Sequence, residues 1–338
     1  MRHVAANVIS LLALAALVVA ALSGVARDDY AAPGPLAEAV IVDVPRGASL
    51  REAADRLAAA GALPERVMWG LMDGATLLRL AARYTGRTTA LKAGEYRVPA
   101  GASVENVLAL ITSGRSIQYA VTVPEGLTSW EVVELLRADA TLTGEIAAVP
   151  AEGSLAPDTY FIDRGTERAA LIARMQEAQQ QILTAAWSAR AEGLPLASPE
   201  EALILASIIE KETGLSGERA KVASVFINRL NRGMRLETDP TVVYGAIQGQ
   251  GALDRPPTGP ELRRETPWNT YRIDGLPPTP IANPGRAAIE ATLNPDATPF
   301  IFFVADGTGG HAFAETLSEH NANVRAWRRI EAQRRNAQ

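Results

Sequence analysis

The sequence predicts an α+β fold carried behind a membrane-anchoring helix. Three observations lead there. Residues Val4–Ala26 are almost wholly apolar, broken only by Asn7, Ser10 and Ser23. Short β-branched runs are then followed by a Pro-x-Gly turn, a Ser or Thr, and a helix-spaced apolar pattern, and this recurs along the first half of the chain. Finally, Leu205–Thr213 reads as a helix apolar on nearly every side that stops abruptly in Glu210, Lys211 and Glu212.

The first run is about the length a helix needs to cross a bilayer. Arg2 and His3 precede it, and Arg27, Asp28 and Asp29 follow. Basic residues favour the cytoplasmic side, so the body is expected outside the inner membrane, with residues 1–28 as a single-pass anchor. A cleaved signal peptide ending near Gly24-Val-Ala26 is the alternative; the run exceeds the roughly 7–15 residues of a signal core, which favours the anchor.

The chain has 338 residues and 47% hydrophobic residues, enough for two or three domains with full cores. Its net charge of −5 argues against nucleic acid as a partner. The absence of cysteine excludes disulfides, thiolate metal sites and cysteine nucleophiles. Only His3, His311 and His320 exist, and none lies near a nucleophile-elbow motif, so a serine triad and a histidine-rich metal site are both disfavoured. Asp306-Gly-Thr-Gly-Gly310 lacks the strand-to-helix setting of a nucleotide loop and reads as a hairpin turn. No metal and no cofactor are expected.

After a short linker at Ala31–Pro35, the repeat predicts strand, turn, cap and helix at Val44–Ala58, Val98–Thr112 and Val123–Leu136. Between the first two lies a mostly helical segment from about Pro64 to Tyr84. The unit is either a generic α+β domain or a LysM-like module over residues 37–116, with 117–165 as a connecting βα subdomain. Residues 137–153 read as loop, and Ser154–Phe161 as a compact segment with a turn at Pro157-Asp158. A long amphipathic helix from Glu167 to about Ala191 carries the polar run Gln179–Gln181, expected on its solvated face.

Ser198-Pro-Glu-Glu201 is a strong helix start, with Ser198 as cap and Pro199 in the first turn. Gly214 is the expected stop. A carboxyl at the end of a buried helix is desolvated, which disfavours its charged form and suits a general acid. Glu210 and Glu212 stand about 200° apart around the helix and cannot share a face. One can enter a groove while the other meets solvent or a salt bridge, and helix geometry does not choose between them. A second helix follows from about Glu218 to Asn231. Next comes a polar loop, Glu237-Thr-Asp239, in which Asp239 either caps the following helix or serves a site. The irregular stretch Gln248–Gly285 precedes a helix expected to start at Asn283-Pro284. A buried strand at Phe300–Ala305, a return at His311–Ala314 and a last helix, read as a solvated packing element, complete the chain.

Residues 202–331 closely resemble the MltG (YceG-like) family of endolytic murein transglycosylases. The resemblance rests on Ala206–Thr213, Lys221–Leu230, Gly233-Met-Arg-Leu236, Thr238–Gly245, Asn269-Thr-Tyr271, Gly275-Leu-Pro-Pro278, Phe303–Gly307 and Gly309-Gly-His311. Weaker matches lie at Leu91–Arg97 and Pro157–Tyr160. It implies an inner-membrane protein with a periplasmic LysM-like subdomain and a lytic transglycosylase catalytic domain at 166–338, acting on peptidoglycan glycan strands, with cell-wall synthases as further partners. The family's catalytic glutamate corresponds to Glu212. Arg235, Thr238, Asp239, Tyr244, Asn269 and Tyr271 are the candidates for lining a sugar groove, each with a structural reading beside it. Between Gly245 and Asn269 the chain departs from the family pattern.

Overall fold

The computed structural model describes residues 2–251 and 255–336. Residues 252–254 of the divergent stretch lie outside the described residues, as do the side chains of Arg2 and His3, on which the expected orientation of the span rests. The fold is mixed α+β, and the chain divides into two compact units: residues up to Tyr119 with Phe161–Arg164, and Ala120–Tyr160 with the chain from Gly165 onward.

In the first unit, α1 (Arg2–Ala31) contains a segment, Ile9–Ala31, long and apolar enough to cross a membrane. Its last turns bring Ala26 and Tyr30 against the unit's core. The expected linker is not free. Gly34 N–H donates to the Gly101 carbonyl at 3.1 Å and Gly101 N–H to the Leu36 carbonyl at 2.9 Å, so backbone pairing holds a segment whose prolines forbid helix.

Strands β1 (Val40–Val44) and β2 (Gly94–Val98) pair antiparallel, with Val42 opposite Tyr96. Val42, Val44, Tyr96 and Val98 face inward, the period-two alternation of a half-buried sheet. Helices α2 (Leu50–Ala59), α3 (Gly74–Tyr84) and α4 (Val104–Ser113) complete the core through Leu57, Leu78, Leu108 and Ile111. The stretch expected to be helical from Pro64 is broken instead. Met68–Gly70 form a 3₁₀ turn, and Asp73 starts α3 by accepting the Thr76 N–H at 2.6 Å.

All three Pro-x-Gly turns form. Gly47, Gly101 and Gly126 take φ of 77°, 64° and 76°, the left-handed region where a Cβ is costly. Ser49, Ser103 and Thr128 then accept the backbone N–H three residues on, which fixes each helix start. The third helix, α5 (Ser129–Ala138), follows β3 (Tyr119–Thr122).

The chain continues with β4 (Leu142–Thr143), β5 (Thr159–Ile162, whose second half belongs to the first unit), β6 (Thr166–Glu167) and α6 (Arg168–Ser188). Two expectations are adjusted here. The compact segment read around a turn at Pro157-Asp158 runs on into a strand, β5, with Tyr160 and Ile162 buried and Thr159 and Phe161 exposed. The polar run of α6 is not all solvated: Gln179 is 2% exposed, and its Nε2 donates to the carbonyls of Gly153 at 3.1 Å and Pro284 at 3.2 Å. The two backbone carbonyls satisfy its donors, while its buried Oε1 has no partner among the described residues.

Helix α7 (Pro199–Glu212) is the hub, contacting α6, α8 (Arg219–Asn231), α9 (Asp239–Ile247) and α11 (Arg286–Leu293). Leu205, Ile208 and Ile209 are fully buried in that core. A short α10 (Gly259–Arg263) interrupts the irregular stretch. Helix α11 starts later than expected because Asn283 is occupied: its Oδ1 accepts the Leu155 N–H at 2.9 Å and its Nδ2 donates to the Leu127 carbonyl at 3.0 Å. Strands β7 (Phe302–Ala305) and β8 (His311–Ala314) form the expected hairpin, with Ala305 opposite His311. β7 is only half-buried, since a two-stranded sheet has one neighbour per strand. The last helix, α12 (Leu317–Asn336), packs on this hairpin.

Candidate active site

The site is built around the end of α7. Ser198 caps the helix by accepting the Glu201 N–H at 3.3 Å, with Pro199 in the first turn as expected. Thr213 ends it in an extended conformation (φ −146°, ψ 127°), so the stop needs no left-handed residue and Gly214 is not the terminator in that sense.

The last turn separates the two glutamates. Glu210 turns into protein: its Oε2 accepts the Gly285 N–H at 2.9 Å, and its Oε1 lies 3.5 Å from Arg219 Nη2. The side chains are 6% and 9% exposed. Burial pushes the Glu210 pKa up; the Gly285 bond opposes this, the nearby Glu125 adds to it, and Arg219 and Lys211 pull it down.

Glu212 turns the other way. It lines a cleft of about 280 Å³ together with Thr213, glycines of the 307–310 turn, His311, Trp327 and Arg334. Its Oε1 accepts the hydroxyl of Thr238. Burial raises its pKa above the ordinary carboxylate value. The Thr238 bond is the strongest opposing influence, the Asp239 charge pushes the pKa higher still, and His311 and Arg229 weakly lower it.

Thr238 is itself fixed. Its N–H donates to Thr270 Oγ1 at 3.0 Å, and Thr241 Oγ1 donates to its carbonyl at 2.7 Å. The loop before it is held by Arg229, a buried guanidinium on α8 that donates to the carbonyls of Ile301 at 2.7 Å and Leu236 at 2.9 Å and pairs with Glu237 at 3.3 Å. Glu237 sits at φ 50°, a conformation that costs a non-glycine residue roughly 1–2 kcal/mol and must be imposed by such contacts.

Of the predicted groove residues, Thr238 meets Glu212 directly. Asp239 occupies the first turn of α9 rather than its cap, and its Oδ1 accepts the Tyr271 hydroxyl at 2.8 Å. The simple capping reading of Asp239 therefore fails. Burial and the neighbouring carboxylates raise the Tyr271 pKa, so its hydroxyl stays protonated as a donor. Arg235 is half-exposed, donating to Asp274 at 2.9 Å and to the Tyr271 carbonyl at 3.1 Å. None of the six candidates lines the cleft itself; Thr238 reaches it only through its bond to Glu212, and two candidates are held well inside the protein. Asn269 is fully buried, its Nδ2 donating to the carbonyls of Arg264 at 2.7 Å and Leu262 at 3.1 Å. Tyr244 donates to Glu152 at 3.2 Å and packs on Trp268.

Sequence reasoning missed His311 as a site residue, weighing it only for a serine triad or a metal site. Its Nδ1 lies 2.9 Å from Glu218 Oε2, and its ring meets Phe303 edge-on. The signal was its place in the Gly309-Gly-His311 motif. The last helix was also undervalued: Trp327 and Arg334 reach the cleft, and Arg334 bonds the Gly307 carbonyl.

Residues 42–326 match the YceG-like family. The chain belongs to that family. Similarity to individual YceG-like relatives agrees. The endolytic murein transglycosylase of Bacillus subtilis is 38% identical over 173 residues, covering 51% of this chain and 46% of that protein. That of Streptococcus pneumoniae is 28% identical over 330 residues, covering 84% of this chain and 58% of that protein. The chain thus spans about half the length of the curated relatives it matches. The crystal structure of a YceG-like protein from Listeria monocytogenes, at 27% identity and a TM-score of 0.50, covers 84% of this chain and 98% of that one.

Proposed function

We propose that this chain is a membrane-anchored endolytic murein transglycosylase that cuts the MurNAc-β-1,4-GlcNAc bond of nascent glycan strands, with Glu212 as acid and then base. One observation carries the reading beyond family membership. The Glu212 carboxyl is partly buried, raised in pKa by desolvation and placed on a cleft, while its neighbour Glu210 is locked into the protein.

The chemistry follows from one carboxyl. Protonated Glu212 donates to the glycosidic oxygen as the bond to MurNAc C1 breaks. The resulting carboxylate accepts the proton of the MurNAc 6-hydroxyl, whose oxygen bonds to C1. The products are a GlcNAc 4-hydroxyl end and a 1,6-anhydroMurNAc end, with the proton returned to Glu212. No water and no cofactor enter. The Thr238 hydroxyl supports this cycle by stabilising the carboxylate half of it. Thr238, beside Glu212, and the Asp239–Tyr271 pair and Arg235 behind it are taken to orient sugar as it extends past the cleft, with Asn269 and Tyr244 holding the loops. A hydrolase of the usual kind would need a second carboxylate as base. The two at hand already have partners, Glu237 in Arg229 and Asp239 in Tyr271.

The same reading takes residues 1–28 as a single-pass inner-membrane anchor with the body periplasmic, residues 37–116 as a LysM-like glycan-binding subdomain, residues 117–165 as a connector and 166–338 as the catalytic domain, working beside cell-wall synthases. Short strands paired with helices in β1, α2, α3 and β2 support the LysM-like assignment.

Mass spectrometry of fragments released from glycan strands by the full chain tests the proposal. Anhydro ends from the wild type and none from Glu212→Gln are expected. Reducing ends in their place would show that water attacks, and full activity of the variant would end the assignment of Glu212.

A further inference from the structure

Met68–Met72 of the first unit carry a feature that the proposed reaction does not use. Met68 and Trp69 both adopt left-handed backbone, with φ of 52° and 57°. Two consecutive non-glycine residues in that region are sterically costly, and something must hold them. Met68 N–H donates to the carboxylate of Asp29 on α1, and Val67 and Met72 close the turn as a β-bridge. Met68 is buried as a result, while Trp69 and Leu71 are thrown outward, 76% and 69% exposed. A strained turn that displays a tryptophan and a leucine to the outside calls for an apolar partner.

The place of the turn identifies that partner. The apolar run of α1 ends at Ala26, and Asp29 follows three residues later. At about 1.5 Å per residue, Asp29 lies roughly 4.5 Å past the end of the run. The headgroup layer on one side of a bilayer is about 5–7 Å deep, by difference between core and total thickness. The hydrogen bond from Met68 therefore fixes the turn at headgroup depth if α1 spans the bilayer. The placement is rigid, because Ala26 and Tyr30 pack on the core of the same unit and the Gly34–Leu36 segment is bonded to Gly101. Tryptophan is the residue enriched at that depth, with its apolar ring and polar N–H. Arg66, exposed and running beside Gly70, adds a guanidinium suited to lipid phosphate.

We propose that the Met68–Leu71 turn is a second membrane contact, inserting Trp69 and Leu71 into the lipid interface beside the end of α1 and fixing how the first unit stands on the bilayer. This rests on the reading of α1 as a retained membrane span.

The sequence contains no cysteine, so single-cysteine labelling is clean. The full chain is reconstituted in vesicles of phosphatidylethanolamine and phosphatidylglycerol, with an environment-sensitive fluorophore on Leu14→Cys, Leu71→Cys or Ala58→Cys, the last on the exposed face of α2. Nitroxides on the lipid acyl chains, near the headgroup or deep, serve as quenchers. Deep quenching is expected at position 14, headgroup-level quenching at 71, and none at 58. The quenching at 71 is expected to be lost when Trp69→Ser is added. Quenching at 14 with position 71 as open to aqueous iodide as position 58 would overturn the proposal and leave the anchor standing. Equal lipid quenching at 58 and 71 would also overturn it, as would shielding of 71 from iodide without lipid quenching, the mark of a protein partner. Absence of quenching at 14 would remove the anchor and this proposal with it.

Discussion

Glu210 and Glu212 share one helical turn, one residue type and one direction of pKa displacement, yet their surroundings differ in kind. Around Glu210 every direction is closed. A backbone N–H, a buried guanidinium and the 124–126 turn surround it, and Glu125 approaches so closely that a Cβ on Gly285 would displace the Glu125 carboxylate. Around Glu212 one direction is open, toward the cleft, and its partner is a neutral hydroxyl rather than a cation. Burial alone therefore does not mark a reactive carboxyl. A buried carboxylate with a full set of partners is structure; one with an incomplete set beside a cavity has lone pairs left for a ligand.

Removing each carboxyl is the strongest way to break this comparison. Glu212→Gln keeps the shape and removes the proton, so turnover is expected to fall by about 10²–10⁴-fold with the unfolding midpoint nearly unchanged. Glu210→Ala is expected to do the reverse. It leaves Arg219 buried without its anion, which costs about 3–5 kcal/mol in stability, while the fraction that stays folded retains turnover. Denaturant unfolding alongside a fragment assay reads both. Loss of activity without loss of stability in Glu210→Ala would erase the distinction drawn here.

Proton linkage sharpens the comparison further. The folded pKa of Glu212 is raised above its ordinary value of 4.5. Between those two values the folded protein keeps a proton that the unfolded chain has released, so stability is greatest below the unfolded value and falls as pH rises through the folded one. Glu212→Gln removes that share, and its stability is expected to decline less steeply than the wild type's above pH 4.5. Because the acid must be protonated, the basic limb of kcat/KM is expected above the usual carboxylate range. A limb in the ordinary range would mean that burial does not govern this group.

What could be read from sequence follows the range of the forces involved. The three Pro-x-Gly turns and their Ser49, Ser103 and Thr128 caps are local devices, and each formed where the residues required it. The frame of α7 was legible for the same reason. Long-range choices were not. That Glu210 would meet Arg219 and Gly285 depends on where α8 and α11 pack, which periodicity does not encode. The cradle of Thr238 joins residues more than thirty positions apart, and Gln179 looked like surface because its partners at Gly153 and Pro284 are distant in the chain. Glu212 itself was reached through family resemblance, since helix geometry left both glutamates open.

The smallest test probes the hydroxyl that distinguishes the Glu212 side. In Thr238→Val the shape is kept and the hydrogen bond to the carboxylate is lost. The cost to stability is expected near 1 kcal/mol, the net worth of such a bond. A hydrogen bond to the charged form lowers a carboxyl pKa, so its loss should move the basic limb of kcat/KM to higher pH. Turnover should fall by less than about tenfold, because the proton donor is intact and only its carboxylate half is less stabilised. Thr238→Ser should restore both limb and rate. A limb that stays in place would mean that the Thr238 hydroxyl orders the loop without acting on Glu212, and the difference between the two glutamates would then reduce to the cleft alone.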